Sequence, residues 1–210
     1  YRIWEYYNQK ASITQAFDIQ MSNKGARKLE DPKMYLSSIE YAEGKEVVKE
    51  VREKSAKQRV IVIQPYGRSA NKIGDALIDP GGRSFQSNDV VKIVKKLQQK
   101  YGVVMMTEHP ADFQKMGCPD PVAQPEGAPL RIWGGIINEA DVFLGCDSVG
   151  QHIAHAMGTP AVVCMGTPSQ ENISYPDSKK FQVIDVAGDK RVYDPIRISM
   201  EDEKMRSNDG

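Results

Sequence analysis

The chain carries five short apolar runs with helix-patterned stretches between them. Val60-Ile61-Val62-Ile63 is β-branched throughout and does not alternate with polar residues. That is the pattern of a strand buried on both faces of a parallel sheet. Val103 to Met106, Val142 to Leu144, Ala161 to Met165 and Phe181 to Val186 follow as the second to fifth strands. After the first, Ser87-Asn88-Asp89 opens a helix with Val90, Val94, Leu97 and Tyr101 on one face and Lys92, Lys95, Lys96 and Lys100 outside. After the second, a loop rich in proline spans 111–128. Pro129 to Ala140 then places Ile132, Ile136 and Ala140 on one helical face. Gly134-Gly135 in its middle conflicts with a helix by about 2 kcal/mol against alanine, so the pair predicts a kink or a close packing contact. Strands alternating with helices predict an α/β fold, a Rossmann-like doubly wound parallel sheet, over residues 58–187.

Residues 1–57 read as a helical linker or extension. Trp4, Tyr7 and Ala11 share a helical face, which either packs on a neighbouring element or offers a stacking platform for a base. Ser22 to Pro32 is loop-like, and Met34-Tyr35-Leu36 predicts a short strand. Ser37 and Glu40 have capping-box spacing for a helix to about Ala56, with Val47, Val48 and Val51 as its apolar stripe. Gly44 weakens that helix near its start. Ser169 to Lys180 reads as a polar loop, and 188–210 as a C-terminal extension ending in a polar tail.

Composition narrows the function classes. Lys plus Arg number 28 and Asp plus Glu 28, so no global basic field for nucleic acid exists. No run of eighteen apolar residues and no signal peptide is present, which predicts no membrane span and a cytoplasmic protein. Three cysteines, Cys118, Cys146 and Cys164, are at no metal-binding spacing and read as buried thiols in a reducing compartment. The chain begins at Tyr1, which reads as part of a longer polypeptide.

The chemistry concentrates after the third strand, in Gly145-Cys146-Asp147-Ser148-Val149-Gly150-Gln151-His152. Ser148 can cap the helix that starts there, and the backbone amides after it can receive an anion. Gly158-Thr159-Pro160 stops that helix. Two readings fit this spacing: a nucleotide or phosphate pocket at the carboxyl end of a parallel sheet, or an ordinary strand-to-helix turn. Other loops fall on the same edge. Gln64 to Arg68 and Asp79 to Phe85 bring Arg68 and Arg83, either phosphate-binding guanidinium forks or solvated surface arginines. Thr107 to Pro110 brings Glu108, which either accepts from a ribose or sugar hydroxyl or caps the next helix. No G-x-G-x-x-G follows the first strand, which argues against a nicotinamide dinucleotide enzyme.

Asp147-Ser148-x-x-x-His152-x-x-x-Ala156-x-Gly158-x-Pro160, followed by Gly166-Thr167-Pro168, resembles the donor-binding half of glycosyltransferase family nine, the heptosyltransferases. The family motif is Asp-Ser/Thr-Gly-x-x-His, small residues, Gly-x-Pro, an apolar strand and Gly-Pro-Thr. Three places depart from it: Val149 stands where the family has glycine, Gly166-Thr167-Pro168 inverts its Pro-Thr, and Phe85 replaces a tryptophan two residues after Arg83. The resemblance implies the C-terminal half of a two-domain, GT-B type enzyme. It further implies inverting transfer of a sugar from a nucleotide-diphospho-sugar to an acceptor hydroxyl, with no cofactor or metal. By position it places Asp147, Ser148, Gly150 and His152 around the nucleotide diphosphate and sugar, with Arg83 and Glu108 beside them; Val149, Thr167 and Arg68, on the same loops, complete the candidate donor-binding residues. The family's base comes from the N-terminal domain, so no catalytic residue is named here. An N-terminal domain outside this chain would be a partner, and the chain alone would be incomplete.

Two other classes compete. His152 and His155, three apart with Asp147 nearby, suggest a metal-dependent hydrolase, although no third ligand is evident. A non-catalytic nucleotide-binding or assembly module needs only the pocket.

Overall fold

A computed structural model describes residues 3–73, 76–166 and 168–186. In chain order it has α1 (Trp4–Tyr7), α2 (Ile13–Ser22), α3 (Ser38–Ser55), β1 (Val60–Gln64), β2 (Asn71–Ile73), β3 (Ala76–Ile78) and α4 (Ser87–Gln98). There follow β4 (Gly102–Met105), α5 (Leu130–Glu139), β5 (Val142–Cys146), α6 (Val149–Met157), β6 (Ala161–Met165), α7 (Gln170–Ile173) and β7 (Phe181–Asp185).

Five strands form one parallel sheet in the order β4-β1-β5-β6-β7, with Ile63 beside Met105 on one side and Leu144 on the other. All five apolar runs predicted as strands within residues 58–187 are in it. Side chains alternate across the pleat. Val60 and Val62 enter a core with Val48 and Val51 of α3, Ile136 and Ile137 of α5, and Ile153 of α6. Ile63 enters a second core with Val90 and Val94 of α4, Val103 and Phe113. Helices on both faces explain why β1 shows no polar alternation: all five of its residues are buried.

α3 forms because Ser37 and Glu40 close a capping box: the Ser37 hydroxyl accepts from the Glu40 amide, and the Glu40 carboxylate accepts from the Ser37 amide. Although it falls in the segment read as a linker, α3 packs in the main core through Val48 and Val51. The two glycine anomalies of the sequence resolve each other at its contact with α5. A Cβ on Gly44 would lie 2.2 Å from the Gly135 carbonyl carbon, and one on Gly135 would lie 2.3 Å from the Glu40 carbonyl oxygen. The backbones touch, and only glycine permits it.

Several expectations need correction. Met34 to Leu36 is not a strand. Instead Met34 and Leu36 lie against Gly134, and Tyr35 gives its carbonyl to Arg131. Trp4, Tyr7 and Ala11 do not share one helix face. The chain turns after α1, where Gln9 takes φ 61°, and α2 starts from a second capping box at Ser12 and Gln15. Tyr7 and Ala11 are buried while Trp4 is exposed with Lys10 over its ring. The loop 64–86 contains an antiparallel hairpin, β2 with β3. The loop 169–180 contains α7, whose Asn172 donates to the Tyr6 and Ala11 carbonyls and so ties down the N-terminal segment. Among the described residues no helix is long and apolar enough to cross a membrane.

Candidate functional site

Counted along the chain, the parallel strands stand in the order 2-1-3-4-5. After β1 the chain moves to one side of it, and after β4 to the other. The carboxyl ends of β1 and β5 therefore flank a crevice, where ligands bind in open α/β sheets. A cleft of about 850 Å³ lies there. Its walls include Gln64 at the end of β1 with Tyr66 and Arg68 after it, Glu108 after β4, and Asp147, Ser148 and Val149 after β5. Arg83 and His152 complete it, with Trp133 as an apolar wall.

Asp147 is the chemical centre. Only 2 % of it is exposed. Its Oδ1 accepts from Gln151 Nε2 at 3.0 Å, while Oδ2 has no hydrogen-bond partner and stands 3.7 Å from Arg83 Nη1. Burial pushes the carboxyl up to about 6; Arg83 and Gln151 oppose the rise without cancelling it. A buried acid with an unpartnered oxygen beside a cation is a candidate functional group.

Arg83 is held in position by its loop. Its Nη2 donates to Ser69 Oγ at 2.8 Å, and Ser69 donates onward to Asp79 Oδ1 at 2.6 Å. Asp79 also accepts from the Gly81 and Ser84 amides and the Ser84 hydroxyl. Burial raises the Asp79 carboxyl, but these hydrogen bonds prevail and hold it below the usual range. The loop after β6 presses on this one: a Cβ on Gly166 would lie 2.7 Å from the Gly82 carbonyl oxygen. Sequence reading picked Arg83 but not its supports Ser69, Asp79 and Ser84. The available signal was Asp79-Pro80-Gly81, an aspartate at the start of a turn.

The start of α6 differs in detail from the expectation. Ser148 occupies the N-cap position, but its side chain makes no capping bond, so its hydroxyl remains free of that role. Gln64 Oε1 accepts from the Gly150 amide at 2.8 Å instead. A Cβ at position 150 would lie 2.5 Å from that oxygen and from the Phe143 ring, which explains a glycine one place later than the family motif. The Gln151 amide turns to the Ser148 carbonyl at 3.3 Å. The Val149 amide, at the first helical residue, lies ahead of the helix's own hydrogen bonds and is the one best placed for an anion.

The remaining candidates occupy different roles. Arg68 and Glu108 are exposed at the rim of the cleft. Glu108 caps no helix, since the next begins at Leu130. His152 sits in the wall with Nδ1 2.9 Å from the Tyr175 hydroxyl, and burial lowers its pKa. Thr167 lies outside the described residues. His155 does not join His152 and Asp147 around a common point. It stacks on Tyr175, with centroids 3.6 Å apart, and meets Asp31 at 3.2 Å. No group of three potential metal ligands occurs among the described residues. Cys146, next to Asp147, is fully buried and its thiol is pushed up to about 12, chiefly by burial, so it is no nucleophile.

With this geometry in view, two solved structures share the fold. An ADP-heptose LPS heptosyltransferase II from E. coli matches with TM-score 0.53 and 16% identity, over 78% of this chain and 47% of that one. A family 9 glycosyl transferase from Veillonella parvula matches with TM-score 0.58 and 9% identity, over 83% of this chain and 49% of that one. This chain shares the α/β fold of about half of each of these structures. The chain spans about half the length of these structures. No family model matches the sequence, and no curated protein does.

Proposed function

We propose that this chain is the donor-binding half of an inverting glycosyltransferase that takes a nucleotide-diphospho-sugar. The observation that carries the reading is the Asp147–Arg83 pair at the sheet's switch point: a buried carboxylate with one oxygen lacking a hydrogen bond, on a residue that lines a cleft at a helix start. The shared fold and the Asp147-Ser148-x-x-x-His152 motif support it.

In this reading the diphosphate lies between the Arg83 guanidinium and the Val149 amide. As the bond from the anomeric carbon to the diphosphate breaks, negative charge grows on the leaving oxygens. A fixed guanidinium and the start of a helix stabilise that charge without a metal. Asp147 Oδ2 accepts from a sugar or ribose hydroxyl, which fills its open valence. Glu108 and Arg68 meet the ligand at the rim. Gln64 sets the limit on the anion site: it holds the Gly150 amide, so fewer amides reach the phosphates than the motif alone suggests.

The acceptor and the base come from a second domain outside this chain. Positioning of the acceptor against the donor supplies much of the rate in such a cleft. The isolated chain therefore binds donor weakly and at most hydrolyses it slowly. Product formation by this chain beside the full-length protein, across plausible acceptors, tests this. Comparable rates would place acceptor site and base within these residues and overturn the half-enzyme reading. A non-catalytic nucleotide-binding module would instead show donor binding with no turnover even at full length.

A further inference from the structure

His152 forms part of the cleft wall, but the group that controls it lies behind that wall. Nδ1 faces the Tyr175 hydroxyl at 2.9 Å, leaving Nε2 as the ring nitrogen without a protein partner. Tyr175 is not in the cleft lining; it belongs to a second groove of about 860 Å³, beneath the N-terminal segment. His155 stacks on the Tyr175 ring at 3.6 Å and 11°, Phe181 meets it edge-on at 5.3 Å, and Asp31 holds His155 at 3.2 Å. The phenol is thus fixed from two sides, and its hydroxyl has one described partner, His152.

The direction of that hydrogen bond follows from the two groups. An imidazole nitrogen is a stronger acceptor than a phenol oxygen, and an unpaired buried O–H is worse than an unpaired lone pair. Burial pushes the Tyr175 hydroxyl up to about 12, so it keeps its proton to donate. Which ring nitrogen of a histidine carries hydrogen is set by the bond made at the other.

We propose that Tyr175 is a positioning residue for His152: by donating to Nδ1 it holds the ring as the Nε2–H tautomer, and Nε2–H donates to a phosphate oxygen of the nucleotide in the cleft. The proposal rests on the nucleotide-sugar reading for its second half and on the described geometry for its first. It makes His152 a neutral donor beside the Arg83 charge and the Val149 amide, and it gives the N-terminal segment a role, through Asp31 and His155, in fixing the site.

The test uses chain labelled with ¹⁵N-histidine, long-range proton–nitrogen spectra at neutral pH, and calorimetry with inorganic pyrophosphate. His152→Gln identifies the His152 resonances among the three histidines. The wild type should show His152 as a single Nε2–H tautomer. Tyr175→Phe keeps the ring that stacks on His155 and should give a tautomer mixture, with pyrophosphate binding weakened roughly three- to tenfold, the scale of one hydrogen bond. In a His152→Gln background the same change should cost no further affinity. An Nδ1–H tautomer in the wild type, or an unchanged spectrum in Tyr175→Phe, overturns the proposal. Equal further loss in the His152→Gln background shows that Tyr175 acts through the fold, and also overturns it. If the wild type binds no pyrophosphate, the nucleotide reading fails and the role of Nε2 with it. If wild type and Tyr175→Phe bind pyrophosphate equally, only the positioning role fails.

Discussion

Two places in this protein break the ordinary rules of sequence, and they end differently. At the α3–α5 crossing, Gly44 and Gly135 sit inside helices, at a cost of about 1 kcal/mol each against alanine. There the anomaly is closed within the protein: the two backbones fill the space that side chains would need. At the switch point, Asp147 is buried at the end of a strand, and its anomaly stays open: Oδ2 lacks a hydrogen bond, and the nearest cation stands 3.7 Å away. The first irregularity is explained by packing alone. The second is not closed by packing, and it is the opening that the proposed ligand would fill.

The largest effect expected is at the closed site. Gly135→Ala should destabilise the chain by about 3 kcal/mol or more, because the new methyl meets backbone that cannot step aside. Denaturant unfolding measures it. Stability equal to wild type would mean that the helices can move apart and that the glycine contact is not what sets their spacing.

Next, Arg83→Ala should weaken binding of a nucleoside diphosphate by about 1.5–3 kcal/mol and leave the nucleoside nearly unaffected, because a charge-assisted contact to phosphate is lost. Calorimetry with both ligands reads the difference. Equal losses would assign Arg83 to holding the loop.

Asp147→Asn sharpens the comparison through pH. The folded carboxyl titrates near 6, above its ordinary 3.8. Between those values the folded state binds more protons than the unfolded state, so wild-type stability falls as pH rises through that window. Asparagine can still accept from Gln151 but does not titrate. The variant should match the wild type below the ordinary carboxyl value and exceed it by on the order of 2 kcal/mol above pH 6. Thermal melts of both across pH 4–7 test this, and parallel curves would show that Asp147 is not raised.

The smallest effect belongs to the neighbouring glycine. The nearest atoms to a Cβ on Gly134 are side-chain ones, of Met34 at 3.1 Å and Leu36 at 3.3 Å. Met34 can give way, and alanine favours the helix, so Gly134→Ala should change stability by less than about 1 kcal/mol. A loss as large as that of Gly135→Ala would break the distinction drawn between backbone and side-chain contact.

Much of the fold was legible in the chain because each strand of the parallel sheet is a local apolar run and the main helices carry their own apolar stripes. Ser37 and Glu40 announced α3 by spacing, and Gly158 the end of α6. Elements whose cause is distant were not legible. Met34 to Leu36 has strand-forming residues, but they serve to line Gly134. The hairpin of β2 and β3 was hidden in a polar loop, although Gly74-Asp75 between Ile73 and Ala76 is a two-residue turn signal. At the site, Asp147 and Arg83 were visible as residue types in suggestive loops. Gln64 holding the Gly150 amide was not, since the partners lie far apart in the chain and meet only across paired strands. Tyr175 was invisible for the same reason: nothing in its own neighbourhood says that it faces a histidine on another element.

The central claim is that the open valence at Asp147 and the Arg83 guanidinium receive a nucleotide-diphospho-sugar. The most direct measurement is a crystal structure of the chain with the tightest binder from a panel of such donors. The account predicts the diphosphate within hydrogen-bond reach of Arg83 and the Val149 amide, with a sugar or ribose hydroxyl on Asp147 Oδ2. A donor bound at the amino-terminal edge of the sheet, or one in the cleft that leaves Arg83 and Asp147 untouched, would contradict it.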